Sequence, residues 1–260
     1  MHIHIITDLE GISGVTTIEQ MEFDSFGYEY ARKRLMIDTN AAIRGAFNNG
    51  ADVVTVTDGH ARGKNFIDEL LDSRAKKINL IDLYSQGLHK EVDAVMFVGT
   101  HAMPGTMNAF LDHVQSSTAW YNYYINNIKC GELVQGGAFL GFYGAPVIFA
   151  SADEAACEEA KYFFGNIQTA PVKKALTRNK AVSYDLDYCE KMIEDRASKA
   201  MNLIGSIKPY KINGPVEIKV EFTRTDYCDN ASERPNVERI DARTVIKKIP
   251  QITDYMSILL

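Results

Sequence analysis

Two acidic residues near the start of the chain have the spacing of metal ligands. Asp8 and Glu10 lie in the stretch Thr-Asp-Leu-Glu-Gly-Ile-Ser-Gly. In an extended segment, side chains two residues apart point to the same side. Neighbouring carboxylates repel each other unless a cation or a shared proton offsets their charge. The pair therefore suggests a bound cation, although a solvated acidic turn is the commoner source of such a motif.

Histidines that follow predicted strands could complete such a site. His60 comes after the second predicted strand, in Asp58-Gly59-His60, and His101 comes after the fourth. His113 lies in the loop that continues beyond His101. Parallel strands deliver their carboxyl ends to one sheet edge, where α/β proteins usually place their sites. The remaining histidines are assigned to packing or solvation: His2, His4 and His89.

Carboxylates combined with imidazoles suggest a particular class of metal. Hard oxygen and borderline nitrogen ligands suit zinc, manganese or cobalt better than calcium. A bridging carboxylate could hold two ions, which would activate water and polarise a carbonyl or phosphoryl oxygen. A single catalytic zinc with three of these ligands is the alternative. Either arrangement predicts hydrolysis.

Composition excludes several other classes of protein. With 46% hydrophobic and 24% charged residues in 260, the chain has the make-up of an ordinary globular protein. A net charge of −6 offers no basic surface for nucleic acid. The four cysteines form no C-x-x-C pair, and the first residues lack the pattern of a signal peptide. We expect reduced thiols and a cytoplasmic location.

One uncharged stretch has the length of a membrane span. Residues 133–152 contain no charged side chain over 20 positions. Gly144-Ala145-Pro146 interrupts the stretch, and proline breaks a helix interior. A helix followed by a buried strand is therefore the better interpretation, and we expect no association with a membrane.

The elements that must position these residues alternate between strand and helix. Apolar and β-branched runs predict strands over 3–8, 53–57, 78–83, 94–99, 120–125, 147–150 and 216–222. Helical periodicity predicts helices over 28–49, 132–143, 153–164 and 185–207, with a capping box of Ser151 and Glu154 before the third. The fold class is therefore α/β, with a mostly parallel central sheet flanked by helices and a smaller C-terminal α+β unit.

A break near residue 208 suggests two units. Pro209 and Gly214-Pro215 separate the last long helix from the strand at 216. We expect a metal-binding catalytic α/β domain over residues 1–208 and a smaller unit over 209–260 that completes the subunit.

Several segments taken in order resemble a known family. These are Asp8 to Gly14, Asp58-Gly-His60 with Asn65, His101, Gly131-Glu132-Leu133, Pro146-Val147 and Val172-Lys173. Together they resemble the zinc-dependent D-aminopeptidase (DppA) family of metallopeptidases, from residue 1 to about residue 180.

The resemblance implies a specific site and reaction. It implies two zinc ions per subunit with Asp8 as the bridge and His113 as the catalytic histidine. The implied metal ligands are Asp8, Glu10, His60, His101 and Glu132. The implied reaction removes an N-terminal D-amino acid, D-alanine above all, from short peptides. It also implies a homo-oligomer, a decamer whose sites face an inner chamber.

Two other readings of the same residues stay open at this point. A related amidohydrolase or phosphoesterase could use the same metals on a different substrate. Phosphate chemistry would need cations at the site, and Arg62 and Lys64 are the near candidates. A non-catalytic scaffold stabilised by its metal ions is the third reading.

Overall fold

Two β-sheets and the helices packed against them make up the computed structural model, which describes residues 1–260. The strands are β1 His2–Thr7, β2 Val53–Asp58, β3 Lys76–Lys77, β4 Ala94–Val98, β5 Trp120–Ile125, β6 Ile128–Lys129, β7 Val147–Asp153, β8 Gln168–Thr177, β9 Lys180–Ser183, β10 Val216–Phe222, β11 Val237–Arg239 and β12 Thr244–Ile249. The helices are α1 Phe26–Asn48, α2 Leu80–Ser85, α3 Glu132–Phe142, α4 Glu154–Phe164, α5 Leu186–Met201 and α6 Thr225–Ser232.

The first sheet has seven strands in the order β3-β2-β1-β4-β7-β8-β9. Neighbouring strands are parallel except for the last pair, β8 and β9. Thr7 at the end of β1 pairs with Asp58 on one side and with Val98 on the other. The carboxyl ends of three central strands are therefore level, and the loops that follow them begin side by side. The α/β class with a mostly parallel central sheet is confirmed.

Both faces of this sheet are covered, as the near-continuous apolar strands require. Alternate residues of β4 point to opposite faces. Ala94 and Met96 join a core with α1 and α5, whereas Val95 and Phe97 join a second core with α3 and the other sheet. α1 and α5 lie so close that a Cβ on Gly45 would come within 2.4 Å of the Glu194 carbonyl oxygen. The buried sheet thus forms a rigid platform for the loops at its edge.

The second sheet is antiparallel, with the order β11-β12-β10-β5-β6. It combines strands from residues 120–129 with strands from residues 216–249. β10 alternates buried and half-buried side chains, which is the pattern of a strand with one covered face. The division of the chain at residue 208 stays a prediction, and this sheet contains strands from either side of it.

Some predicted elements are wrong or misplaced. The strand predicted over residues 78–83 is wrong: the segment enters helix α2, because the Asn79 side chain accepts a hydrogen bond from the Asp82 amide at 2.8 Å and caps the helix. The predicted capping box is also wrong, since Ser151 lies within β7. Asp153 instead caps α4 by accepting from the Ala156 amide at 2.8 Å. α5 ends at Met201 rather than at residue 207.

The uncharged stretch over 133–152 forms α3 and then β7, as expected from the proline between them. None of the helices has both the length and the apolar composition that crossing a membrane would require. All four cysteines are buried and free.

Candidate metal centre

A cleft of about 690 Å³ opens at the carboxyl edge of the first sheet. Every site residue named from the sequence lines it: Asp8, Glu10, His60, His101, His113 and Glu132. They come from loops after β1, β2 and β4 and from the start of α3. The convergence expected from parallel topology is therefore present.

The loop after β1 carries Asp8 and Glu10 and lies tightly against the loop after β4. The Gly11 amide donates to the Gly99 carbonyl at 2.7 Å. A Cβ on Gly11 would lie 2.0 Å from the Thr100 carbonyl oxygen, so only glycine permits this approach. This contact fixes Glu10 next to the segment that carries His101.

Two buried polar side chains hold the same loop from the side of the core. The Nζ of Lys173, a fully buried residue, donates to the Glu10 carbonyl at 2.5 Å and to the Val15 carbonyl at 2.6 Å. The Asp38 carboxylate accepts from the Ser13 amide and hydroxyl, both at 2.7 Å. Backbone groups that a loop would leave unpaired are thus satisfied by side chains of the core.

The loop after β2 is shaped by Asp58, which is not one of the candidate ligands. Its carboxylate accepts from the Asn65 amide at 2.6 Å and from the Phe66 amide at 3.1 Å. The Asn65 side chain donates to the His60 carbonyl at 2.8 Å. Asp58 and Asn65 therefore set the position of His60.

His101 and His113 stack with ring centroids 3.9 Å apart and ring planes 11° from parallel. Nδ1 of His113 lies 2.7 Å from the Leu111 carbonyl, and Nδ1 of His101 lies 3.1 Å from the Ala102 carbonyl. A carbonyl only accepts, so each Nδ1 carries the hydrogen. The Nε2 atoms of both rings are left to face the carboxylates. A backbone carbonyl that fixes the tautomer in this way is typical of histidines at metal sites.

Two buried carboxylates hold the long loop that carries these histidines. Asp153 accepts from the Phe110 amide at 2.5 Å, and Glu159 accepts from the Met103 amide at 2.9 Å. Leu111 in this loop has a φ of +51°, which is strained for a branched side chain. Such strain persists where surrounding contacts impose it, and it clusters at functional sites.

Glu132 reaches the cleft from the first turn of α3. A Cβ on Gly131 would lie 3.0 Å from the Met103 Cα, so the glycine lets the start of the helix approach the loop after β4. One carboxylate oxygen of Glu132 accepts from the Gln115 amide at 2.6 Å and lies 3.4 Å from Nε2 of His101. Strand-end spacing did not identify Glu132, because this carboxylate lies at a helix start. The Gly-Glu pair before an apolar helix was its only local signal.

The candidate ligand atoms form two groups. Asp8, Glu10 and His60 make one, and His101, His113 and Glu132 make the other, each with its atoms within 4.8 Å of one another. Asp8 faces both groups: its Oδ1 lies 3.0 Å from Nδ1 of His60, and its Oδ2 lies 3.3 Å from Nε2 of His101. Oxygens directed at different histidines are what a bridging carboxylate needs.

The electrostatics of the cluster also suit cations. Burial raises the pKa of Asp8 to about 7, and the charge of Glu10 adds to the rise. Burial disfavours a charged His60, but the Glu10 charge and hydrogen bonds to both carboxylates raise the pKa of His60 to about 12. The acidic cluster thus holds protons on Asp8 and His60, and these protons offset part of its negative charge. Divalent ions can replace those protons, so the donor set fits the metal that the resemblance implies.

His113 differs from the other histidines of the cluster. Burial and the charge of His101 lower the pKa of His113 below its usual value. Its Nε2 lies 4.0 Å from Oε1 of Glu10 and has no hydrogen to donate in the tautomer that Leu111 imposes. A neutral imidazole with a free lone pair in the cleft can accept a proton.

Known proteins resemble this chain over its whole length. The model of the M55 peptidase family, described as D-aminopeptidase, matches residues 1–260. The chain belongs to this family. It is therefore an enzyme that hydrolyses peptide bonds. The D-aminopeptidase of Bacillus subtilis (strain 168) is 25% identical over 250 residues, which cover 95% of this chain and 90% of that protein.

A solved structure supports the same assignment. It is described as the Zn-dependent D-aminopeptidase DppA from Bacillus subtilis, a self-compartmentalizing protease. The similarity has a TM-score of 0.93 at 25% identity and covers 100% of this chain and 96% of that one. The predicted family membership is confirmed.

Proposed function

We propose that this protein is a zinc-dependent D-aminopeptidase with two zinc ions per subunit. The zinc dependence of the related B. subtilis enzyme supports the choice of metal. The observation that carries the proposal is the position of Asp8 between the two ligand groups. Glu10 and His60 would hold one ion, His101 and Glu132 the other, and Asp8 both.

The residues of the cleft suit the hydrolysis of a peptide bond. Zinc supplies a Lewis acid that polarises the scissile carbonyl and makes water a stronger nucleophile. His113 would take a proton at Nε2 from the attacking water and return it to the leaving amine. Its lowered pKa keeps the imidazole neutral before the reaction, and the Leu111 carbonyl holds the hydrogen on Nδ1, so the lone pair of Nε2 is free. Its side chain is 14% exposed, which limits the access of bulk water to that proton.

The proposed substrate is a short peptide with an N-terminal D-amino acid, D-alanine above all. The family description and the B. subtilis relative support the D configuration. A cleft of about 690 Å³ has the size of a small-ligand site. We further propose a homo-oligomer, a decamer, because the relative is described as self-compartmentalizing. A cytoplasmic location stays a prediction.

Hydrolysis of D-Ala-D-Ala by the purified, zinc-loaded protein tests the activity. We expect turnover that is lost with a chelator, restored by zinc and absent with L-Ala-L-Ala. Turnover that survives complete removal of metal, or equal rates for both enantiomers, would contradict the proposal. p-Nitrophenyl phosphate added as a substrate tests the phosphoesterase alternative, and we expect no hydrolysis of it.

Metal analysis tests the dinuclear site separately. Mass spectrometry of the native protein should find two zinc ions per subunit. Asp8→Ala should reduce that number and lower the zinc-dependent gain in thermal stability, because Asp8 contributes to both ion sites. Unchanged stoichiometry in Asp8→Ala would exclude the bridging role.

A further inference from the structure

Arg62 is a charged residue of the cleft that the proposed reaction leaves without a role. Apart from histidine, only two cationic side chains line the cleft, Arg62 and Arg178. Lys64, the other cation noted beside His60, is exposed and does not line it. An arginine that lines the same cleft as the metal site can bind an anionic group of a ligand.

The two arginines differ in how their charge is satisfied. Nε of Arg178 lies 3.3 Å from Oδ1 of Asp112, and its Nη2 donates to the Asp112 carbonyl at 3.2 Å. The side chain of Asn179 accepts a second hydrogen bond from Arg178 at 3.0 Å. The guanidinium of Arg62 has no hydrogen-bond or ion-pair partner in the chain. Its planar set of donors is therefore free for a ligand.

The backbone around Arg62 is fixed even though its side chain is free. The Gly63 amide donates to the His60 carbonyl at 2.9 Å and closes a tight turn over residues 60–63. Gly63 has a φ of +65°, which suits glycine at that position of the turn. The same His60 carbonyl accepts from the Asn65 side chain. Arg62 thus projects from a turn whose first residue is a candidate metal ligand.

A short peptide offers one matching anion. Its α-ammonium group carries a positive charge that suits the carboxylates of the cleft, while its C-terminal carboxylate carries the negative charge. Guanidinium binds carboxylate through paired, charge-assisted hydrogen bonds. We propose that Arg62 is a specificity-determining residue that binds the terminal α-carboxylate of the peptide. This inference rests on the proposed peptidase function and adds a preference for short peptides with a free C-terminus.

The test compares D-Ala-D-Ala with its C-terminal amide, D-Ala-D-Ala-NH₂, on the zinc-loaded enzyme. The wild type should favour the free acid by roughly tenfold in kcat/KM, the size expected of one exposed charge-assisted pair. Arg62→Gln should lose that preference through a higher KM for the acid, with kcat and amide hydrolysis unchanged. Lys64→Gln is the matched control, an exposed cation two residues away that should keep the preference.

A binding measurement provides a second readout. A D-Ala-D-Ala analogue whose scissile amide is reduced to a methylene-amine cannot be hydrolysed, and calorimetry compares its free acid with its carboxamide. We expect the wild type and Lys64→Gln to bind the free acid more tightly than the carboxamide. Arg62→Gln should bind the two analogues with equal affinity.

Three results would overturn the role of Arg62: equal hydrolysis of acid and amide by the wild type, a preference that survives Arg62→Gln, or a preference lost only in Arg178→Gln. If the wild type cleaves neither peptide, the peptidase function fails and the inference fails with it. That outcome is distinct from cleavage of both peptides at equal rates, which leaves the peptidase function intact.

Discussion

At the scale of single residues, hydrogen bonds to the backbone decide which ring nitrogen of a histidine can do chemistry. Leu111 and Ala102 each present a carbonyl to an Nδ1 atom, so that His113 and His101 direct Nε2 into the cleft. The two rings are stacked, and the charge of one disfavours the charge of the other. His101 is therefore suited to bind a cation, and His113 is suited to accept a proton.

Replacement of His113 tests this division of roles. His113→Ala should retain two zinc ions and the native fold but lose about 100- to 10,000-fold in kcat, the usual contribution of a general acid or base. His101→Ala is the comparison, since it should lose metal as well as activity. Metal analysis and steady-state kinetics on both variants check the prediction. Loss of zinc from His113→Ala would make His113 a ligand instead.

The charge of Glu159 provides a pH-dependent prediction. Burial raises the pKa of Glu159 to about 7 from an ordinary value of 4.5. The folded state therefore holds this proton more tightly than the unfolded chain. The resulting stabilisation is fully present below pH 4.5 and is lost as the pH rises through 7. Glu159→Gln removes the titration, so its unfolding free energy relative to the wild type should rise by up to about 3 kcal/mol over that range.

Chemical denaturation of metal-free protein at pH 4.5 and pH 7.5 measures this change. Glu158→Gln provides the control, because Glu158 is the exposed neighbour and makes only an ion pair with Lys161. Its stability relative to the wild type should be nearly the same at the two pH values. A Glu159→Gln curve parallel to that of the wild type would contradict the raised pKa.

At the scale of elements, the loops of the site depend on side chains that belong to the core beneath them. Lys173 on β8 is the clearest case, because it satisfies two carbonyls of the loop that carries Asp8 and Glu10. Its Nζ also lies 4.8 Å from the centre of the Phe110 ring, in the loop that carries His113. One buried lysine thus contacts two of the three loops that carry candidate site residues.

Lys173→Met should loosen both loops. It leaves two buried carbonyls without donors, which costs about 1–3 kcal/mol for each group. We expect unfolding free energy to fall by about 3 kcal/mol and zinc affinity to fall at least tenfold. Lys174→Met is the control, since Lys174 is the exposed next residue of the same strand. Urea denaturation and zinc titration check both variants, and a Lys173→Met protein with native zinc affinity would refute the role.

Much of this arrangement of strands and loops could be predicted from the sequence. The strands that precede Asp8, His60 and His101 are runs of β-branched and apolar residues, so the convergence of the loops after them followed from parallel topology. Lys173 could not be assigned a place in the core, because a lysine within a strand normally faces solvent. The helix start at Glu132 depends on contacts with residues distant in sequence. The strand predicted over residues 78–83 was wrong because capping by Asn79 favoured a helix over the strand that the apolar pattern indicated.

At the scale of the whole molecule, the last residues of the chain return to the cleft. Tyr255 and Met256 line it. The hydroxyl of Tyr123 donates to the Ile258 carbonyl at 2.7 Å, and that of Tyr143 donates to the Thr253 carbonyl at 2.8 Å. Ile258 itself is fully buried in the core between the two sheets. The C-terminal tail, held against β5 by Tyr123 and against α3 by Tyr143, therefore completes one wall of the site.

Ile258→Ala should reduce stability and activity together. Truncation of a buried isoleucine costs about 2–5 kcal/mol. The loss should also displace Tyr255 and raise KM. Ile128→Ala is the matched control, because Ile128 is 50% exposed on β6, the edge strand of the second sheet, and should change stability by less than about 1 kcal/mol. Thermal unfolding and kinetics test both variants, and an Ile258→Ala enzyme with wild-type KM would show that the tail does not shape the cleft.

The position of Tyr255 and Met256 in the cleft wall has a consequence for biosynthesis. A ribosome makes these two residues after every candidate zinc ligand and after every strand of the first sheet. A nascent chain can therefore assemble its metal ligands before its cleft is complete. Peptide binding that depends on this wall would therefore begin later in synthesis than zinc binding.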